Sequence, residues 1–505
     1  MAKLLFIQNL WYEFMGPMLI STALKRAGHN CAAEVIDHPR QIDALLDSHL
    51  PDIVGLPVMA GSEAFTVEMC SILTRRGVPT LLGGTQSTLY PQHLLERTGA
   101  DFLCRGSGET AVVKLLDAFT EGTSYEIEGV WQFLNGRVID RGVGRTPPFA
   151  EKIWADRELY RHIKYFRMLP TELFVTRSCP NNCSYCFNRL LAKCHRDDRE
   201  YFTRRPIDDL LEEAVYLRDN LIVKNRNKRF FLRSDNINCD DEWFERFLEQ
   251  WPKVVGAPFN LVLQVDRLTA HQAKMMKIAG VSVAAFGIES GNENLRRRVL
   301  NRRASNDQIF RAASWLRQEG IKLVSGNMLA IPGETLEQGL DTLELNQRIG
   351  VNCPHPSLLQ PYPGTRLHSY AVQNGYLPLS RSGLTLPTLH HGSLMQGTDV
   401  DALVNLHRLF ILAVLLHMPR RLVRFLARVP RNPIYDWLFL FSYSFGYVRP
   451  LLGLSWSGVL AHAFKYVKLR PRRKDFRRHF DLGQIPDVNP DISRVDLDGS
   501  ARRGI

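Results

Sequence analysis

Cys179, Cys183 and Cys186 fall within eight residues in a Cys-x3-Cys-x2-Cys pattern, and three thiols so close together form a metal-ligand signature. Soft thiolates select zinc or an iron-sulfur cluster. A structural zinc wants a fourth protein ligand, commonly from a second Cys-x-x-Cys or a His pair. None follows at the usual spacing, and His195 is the nearest candidate. A [4Fe-4S] cluster held by three cysteines leaves one iron open to bind a substrate. The ligand chemistry allows both metals, and the spacing favours the cluster. A second set of polar groups stands at the ends of strand-like runs: Asp235, Gln264, Glu289, Ser290 and Asn327. Any one alone reads as a helix cap or a solvated residue, with Asp235 and Glu289 the better candidates for a site.

The elements that must position these groups are legible as pattern. Residues 173–176 read as a strand, so the cysteines lie on a loop at its C-terminal end, where barrel folds place their chemistry. From 166 to 378 the pattern is strand then helix about six times, with strands near 173, 230, 260, 283, 323 and 356, as in a partial, open (βα)6 barrel. Residues 1–125 alternate short apolar runs with helical stretches, as a doubly wound parallel sheet does. Its strand ends carry Tyr12, Glu13 and Gly16, then Met59 and Gly61, then Gly83, Gly84 and Gln86, then Gly106, Gly108 and Glu109. Ligands of such sheets collect there, and glycines let backbone approach a large flat ligand or simply turn. Residues 126–165 read as a connector with a hairpin turning at Asn135-Gly136. Residues 379–480 read as a helical region closing the barrel, with an amphipathic surface lying on anionic lipid as the alternative, and 481–505 as a disordered polar tail.

The three-cysteine loop, with Phe187 after its last cysteine, resembles that of the radical S-adenosylmethionine (SAM) enzymes. The segments 286–292, 327–335 and 360–365 are similar to matching segments of the cobalamin-binding branch of that family. The resemblance implies a [4Fe-4S] cluster on Cys179, Cys183 and Cys186 whose open iron chelates SAM, cleaved to a 5'-deoxyadenosyl radical. It implies SAM contacts from Phe187, Asp235, Gln264, Glu289, Ser290 and Asn327. It makes the N-terminal sheet a Rossmann-like cobalamin-binding domain, contacted through the eleven strand-end residues named above. Where relatives that ligate cobalt use Asp-x-His-x-x-Gly, this chain has Trp11-x-Glu13-x-x-Gly16. The lower axial position is therefore expected to lack a histidine. Thr85, Gln86 and Ser107 also depart from the commoner family forms.

Composition bounds the setting. A chain of 505 residues accommodates two or three domains, and 45% hydrophobic with 23% charged residues is ordinary for a globular protein. The N-terminus runs straight into a strand-like segment without a secretion signal, and nine cysteines gathered around one loop suit a reducing compartment, so a cytoplasmic location is expected. The net charge of +12 is concentrated late, with eight basic residues between Lys465 and Arg478 against Asp475 alone. That excess allows at most a weak peripheral membrane contact. No RNA-binding module is recognisable, so nucleic acid is not an expected partner.

By resemblance the chain is a cobalamin-dependent radical SAM methyltransferase. It would methylate an unactivated carbon, or phosphorus, of a small-molecule or natural-product substrate and draw electrons from a donor such as flavodoxin or ferredoxin. No protein catalytic residue is named by this reading. Two alternatives stay open: the same cofactors performing oxidation, cyclisation or ring rearrangement without net methyl transfer, and a non-catalytic cobalamin-binding sensor.

Overall fold

The computed structural model describes residues 1–221, 229–379, 390, 392–430, 432–449 and 454–460. The polar tail expected at 481–505 and the basic stretch Lys465 to Arg478 lie outside the described residues.

The first sheet holds seven strands: β1 (Lys3–Gln8), β2 (Asn30–Val35), β3 (Ile53–Pro57), β4 (Thr80–Gly83), β5 (Phe102–Cys104), β6 (Val130–Leu134) and β7 (Arg137–Ile139). Their order is β2-β1-β3-β4-β5-β6-β7, the first five parallel. Of these, β1, β3, β4 and β5 are almost wholly buried, which is why they read as apolar runs, whereas the edge strand β2 is mostly half-exposed. The chain direction across the sheet reverses between β1 and β3, and open α/β sheets bind ligands at that switch point. The hairpin read as a connector belongs instead to this sheet. β6 pairs antiparallel with β5, Trp131 is buried in its core, and Asn135 and Gly136 make the turn at φ of 52° and 75°. Two positive φ values are what a tight right-twisted hairpin requires.

The second sheet holds β8 (Thr171–Phe174), β9 (Phe230–Arg233), β10 (Phe259–Val262), β11 (Val281–Glu289), β12 (Lys322–Leu329) and β13 (Cys353–Leu358). All are parallel and run in sequence order from one edge to the other, so the barrel is open. Helices between them bury their inner faces in one large core that includes Phe230, Phe244, Trp251 and Phe286. The expected helices sit at Ile207–Asn220 and Asn306–Gln318, the latter capped by Ser305, whose side chain accepts from the Gln308 N–H. Ser290, which alone reads as a cap, is not one; Asn292 caps the following helix, Glu293–Arg298, its side chain accepting from the Leu295 N–H.

The C-terminal helices Val400–Leu415, Arg420–Arg428 and Pro433–Tyr443 line the barrel's open edge at β13 and the neighbouring helix Leu336–Ile349. Leu403, Leu406 and Phe410 are fully buried within the barrel's own core cluster. The π-helical turn Ser444–Val448 reaches inside the barrel, where Tyr447 lies 4.4 Å from the His355 ring and packs with Val283, Val324 and Cys353. Those residues stand near the starts of β11, β12 and β13, so this region forms edge and floor, opposite the cysteine loop.

Candidate functional site

The two sheets point their C-terminal strand ends at one shared cavity of about 820 Å³. From the first domain come Tyr12, Gly16, Met59, Gly83, Gly84, Gln86, Gly106, Gly108 and Glu109; from the barrel come Phe174, Arg177, Phe187, Leu191, His195, Tyr201, Arg233 and Tyr362. The domains are locked across it. Tyr12 donates its hydroxyl proton to Glu172, Tyr90 donates to the Pro363 carbonyl, and the Thr146 N–H donates to Asp198 at 2.8 Å. A fixed interface keeps the two halves of the cavity in register.

On the first domain's side the wall is backbone. An ideal Cβ added at Gly16 or Gly83 would meet nothing within 4 Å, so a side chain there would only fill the cavity. Gly84 adopts φ 94° and ψ −171°, a region nearly exclusive to glycine, with Val58 backbone 2.9 Å from its would-be Cβ. Such a bare, apolar-walled cradle fits a large planar macrocycle like cobalamin. Glu109 lies buried behind it at the start of the helix Glu109–Glu121; burial pushes its carboxyl up, and Arg177 across the domain boundary opposes the shift.

Two of the residues expected here lie elsewhere. Tyr12 faces the cavity, but the next residue, Glu13, faces a separate small pocket with Arg157 and Tyr160. Burial raises its carboxyl pKa and Arg157 partly offsets it. Gly61 donates its N–H to Glu63 Oε2 at 2.9 Å and shapes a turn at φ 83° away from the wall. Glu13 is thus not a candidate for the lower face of cobalt. Among the described residues lining the cavity the one imidazole is His195, from the barrel side, stacked 4.1 Å on Tyr201 and 3.5 Å from Asp198. Electron paramagnetic resonance of the cob(II)alamin-loaded protein is therefore expected to lack nitrogen superhyperfine splitting. Splitting that disappears in His195→Ala would identify that ring as the ligand, and splitting that survives would report the cofactor's own base; either contradicts the expectation.

The cysteine loop leaves β8 and gathers its thiols in one half-buried spot. Burial pushes all three thiol pKa values up, Cys186 to about 12, and neighbouring thiols together with Asp235 add to the effect at Cys179 and Cys186. Among the described residues no three His, Cys, Asp or Glu side chains converge on a single-ion site. A [4Fe-4S] cluster asks for a different arrangement, each thiolate on a separate iron. Its fit is supported by the donor set itself and by Arg302 Nε, a buried N–H donor near Cys183 without a hydrogen-bond partner.

Of the six residues expected to contact SAM, three stand at this loop. Phe187 follows Cys186 and meets Tyr362 edge-on at 5.9 Å. Asp235, its pKa raised to about 6 by burial, lies within electrostatic reach of Cys179 and Cys186. Glu289 accepts from the Tyr185 hydroxyl at 3.0 Å and pairs with Arg302 at 3.4 Å, beside Cys183. Glu289 holds φ 66°, a strained value for a non-glycine residue, where β11 bulges against β12. Gln264 is one step removed, accepting from Asn236 at 2.8 Å. Ser290 and Asn327 are fully enclosed. The Ser290 carbonyl accepts from Arg296, and the Asn327 amide is exchanged with Asn346 and Ser325 on the helix side of the sheet. Removing Glu289 leaves the Arg302 guanidinium buried without its counter-charge, so Glu289→Ala is expected to cost about 3 kcal/mol of stability. Glu289→Gln should cost less. Urea denaturation with unchanged midpoints in both variants would refute this.

Sequence reasoning missed Arg177, Tyr201, Arg233 and Tyr362 as cavity residues. Residues 360–365 were legible as a segment similar to one of the family's, and nothing local announces that Tyr362 meets Phe187.

Comparison with known proteins agrees with this division. The family model of the B12 binding domain matches residues 13–116, and that of the Radical SAM superfamily matches residues 173–345. An uncharacterized methyltransferase from Pyrococcus horikoshii is 24% identical over 65% of this chain and 71% of its own. The anaerobic magnesium-protoporphyrin IX monomethyl ester cyclase of Rubrivivax gelatinosus is 21% identical over 72% of this chain and 66% of its own. Among solved structures, the cobalamin-dependent SAM radical enzyme OxsB superposes over 97% of this chain and 82% of its own, with a TM-score of 0.66 and 15% identity, a likeness of fold. With a B12-binding domain and a radical SAM domain in series around one cavity, the chain belongs to the cobalamin-binding radical SAM enzymes, whose cofactors are a [4Fe-4S] cluster, SAM and cobalamin.

Proposed function

We propose that the chain is a methyltransferase that places a methyl group on an unactivated carbon, or on phosphorus, of a small biosynthetic intermediate. The observation that carries this reading is the single cavity bounded by glycine backbone on one side and by the cysteine loop's Phe187 and Tyr362 on the other. Cys179, Cys183 and Cys186 would hold the cluster, and Gly16, Gly83 and Gly84 would bed the cobalamin. When bound, cobalamin supplies a transferable methyl group and the cluster with SAM supplies the one-electron chemistry that opens an inert bond.

The protein's own residues position and shield. The Tyr12–Glu172 and Tyr90–Pro363 hydrogen bonds fix the separation of the two walls, and small errors in such a separation are costly in rate. Phe14, Phe174, Phe187 and Tyr362 make much of the lining apolar and keep water from reactive species. Arg233, held to Glu172 at 2.8 Å, leaves a fixed cation at the cavity wall.

The Pyrococcus relative is named a methyltransferase, which supports the reading. The match to the Rubrivivax cyclase favours a second one, ring formation without net methyl transfer. Anaerobic incubation with SAM labelled on its methyl group, cobalamin, a reductant and candidate substrates separates them by product mass. A labelled methyl gained supports the first reading, loss of hydrogen or water supports the second, and absence of 5'-deoxyadenosine from cluster-loaded protein contradicts both.

A further inference from the structure

The helix Arg420–Arg428 turns one side to the barrel: Arg420 and Arg424 pair with Glu337, and Val423 and Ala427 are buried. Its other side presents Leu422 and Phe425, 45% and 68% exposed, between exposed Arg421 and Arg428. The helix Pro433–Tyr443 repeats the arrangement. Ile434, Trp437 and Phe441, spaced three and four apart on one helical face, are 65%, 65% and 61% exposed. The stripe continues by ring contacts from Phe441 to Phe445 at 4.7 Å and from Phe445 to Trp456 at 5.5 Å. Arg449 covers the Trp456 ring at 4.3 Å. Nine of the seventeen large apolar side chains exposed among the described residues fall between Leu415 and Leu460. Exposed apolar side chains scattered singly are ordinary, but more than half of them gathered on one C-terminal segment, with Phe441, Phe445 and Trp456 in ring contact, mark an interaction surface.

Charge narrows the choice of partner. From residue 402 to 474 the sequence carries thirteen Arg and Lys against one acidic residue, Asp436, which is paired to Arg408 at 2.8 Å. A second copy of this face, or the chain's own basic stretch Lys465 to Arg478, would bring like charge against like. Large aromatics flanked by arginine are the composition of an interfacial helix, with rings at the headgroup level and guanidinium groups on lipid phosphates. No helix among the described residues is long and apolar enough to cross a bilayer. We infer that this C-terminal face docks the enzyme on the surface of an anionic lipid bilayer. The inference concerns binding alone and stands apart from the methyl-transfer reading.

The test is flotation of the purified full-length protein with vesicles of phosphatidylcholine, with and without phosphatidylglycerol. The protein is expected to float with the anionic vesicles, to lose most of that binding at high salt, and to float poorly with phosphatidylcholine alone. The double variant Phe425→Ser, Trp437→Ser removes two exposed rings and should weaken partition about tenfold or more, while its circular dichroism and iron content stay as in the parent. Parent protein that remains in the soluble fraction at low salt overturns the inference, as does a variant that floats equally well. A parent that fails to float but is a dimer converted to monomer by the same substitutions would assign the face to self-association. Flotation seen only after removal of residues 461–505 would assign its cover to that segment. Either result rejects bilayer docking for the intact chain.

Discussion

Cys183→Ala is expected to yield a folded protein that binds no complete cluster and forms no 5'-deoxyadenosine from SAM, and the same holds for Cys179→Ala and Cys186→Ala. The reason is local and severe. Thiolates are the only strong iron ligands the loop offers, and the one imidazole at the cavity wall, His195, is already stacked on Tyr201 and paired toward Asp198. With the cluster held as proposed, each cysteine would serve a separate iron, and losing one would leave two protein ligands for an assembly that needs three. The substitution itself is mild for the fold, because the three thiols are only partly enclosed and lie on a loop. Iron and sulfide content, near-ultraviolet and visible absorbance, and anaerobic 5'-deoxyadenosine formation are the readouts, with far-ultraviolet circular dichroism as the check on folding. A triple variant that still carries four irons and cleaves SAM would remove the cysteines from the site.

Truncation before Val400 is expected to give insoluble protein. The helix Val400–Leu415 completes the barrel's core: Leu403, Leu406, Phe410 and Ile411 are each at most 2% exposed. Truncation deletes these side chains and uncovers the barrel residues packed against them, among them Leu329, Leu336, Leu340 and Leu343; each large apolar side chain returned to water costs about 1.5–3 kcal/mol, and a few of them approach the ~5–15 kcal/mol that holds a typical domain together. Further links go with them. Arg420 pairs with Glu337, Asp341 and Glu344 on the adjacent barrel helix at 2.7–2.9 Å, and Gln347 of that helix donates to the Ala413 and Met418 carbonyls. The surface ion pairs add little by comparison. The single substitution Phe410→Ala should by itself lower stability by about 3–5 kcal/mol. Expression and solubility of the truncated chain, and urea melts of the point variant, measure this. A soluble truncated chain with the parent's unfolding midpoint would show that the barrel closes without these helices.

The features legible in the chain alone are those whose signal is short in range. Ligand spacing is a local property, so Cys179, Cys183 and Cys186 were readable in order. The alternation of apolar strand and amphipathic helix located all six barrel strands and the five parallel strands of the first sheet, since both periodicities follow from backbone geometry. Asn135-Gly136 announced its hairpin for the same reason. It could not announce that the hairpin pairs with β5, because pairing is decided by what a free sheet edge can still bond.

Tertiary structure decided which strand-end polar groups face the chemistry. Asn327 and Glu289 look equivalent in sequence, each closing an apolar strand. The pleat sends Asn327 to the helix side with Leu323 and Leu329, where Asn346 satisfies it, whereas Glu289 shares the phase of Val283 and Ala285 on the barrel's inner side and meets Tyr185 and Arg302. Which of the two phases faces inward is decided by the side of the sheet the helices cover, and it leaves no compositional mark on the residue itself. Loops lack even that phase: Tyr12 and Glu13 are neighbours, yet one meets the cavity and the other is buried against Arg157. Tyr90 joins Pro363 across 273 positions of chain, and Tyr362 meets Phe187 because of it. Contacts between elements so distant depend on how two sheets pack, and packing is a property of the whole core that no stretch of the chain carries alone.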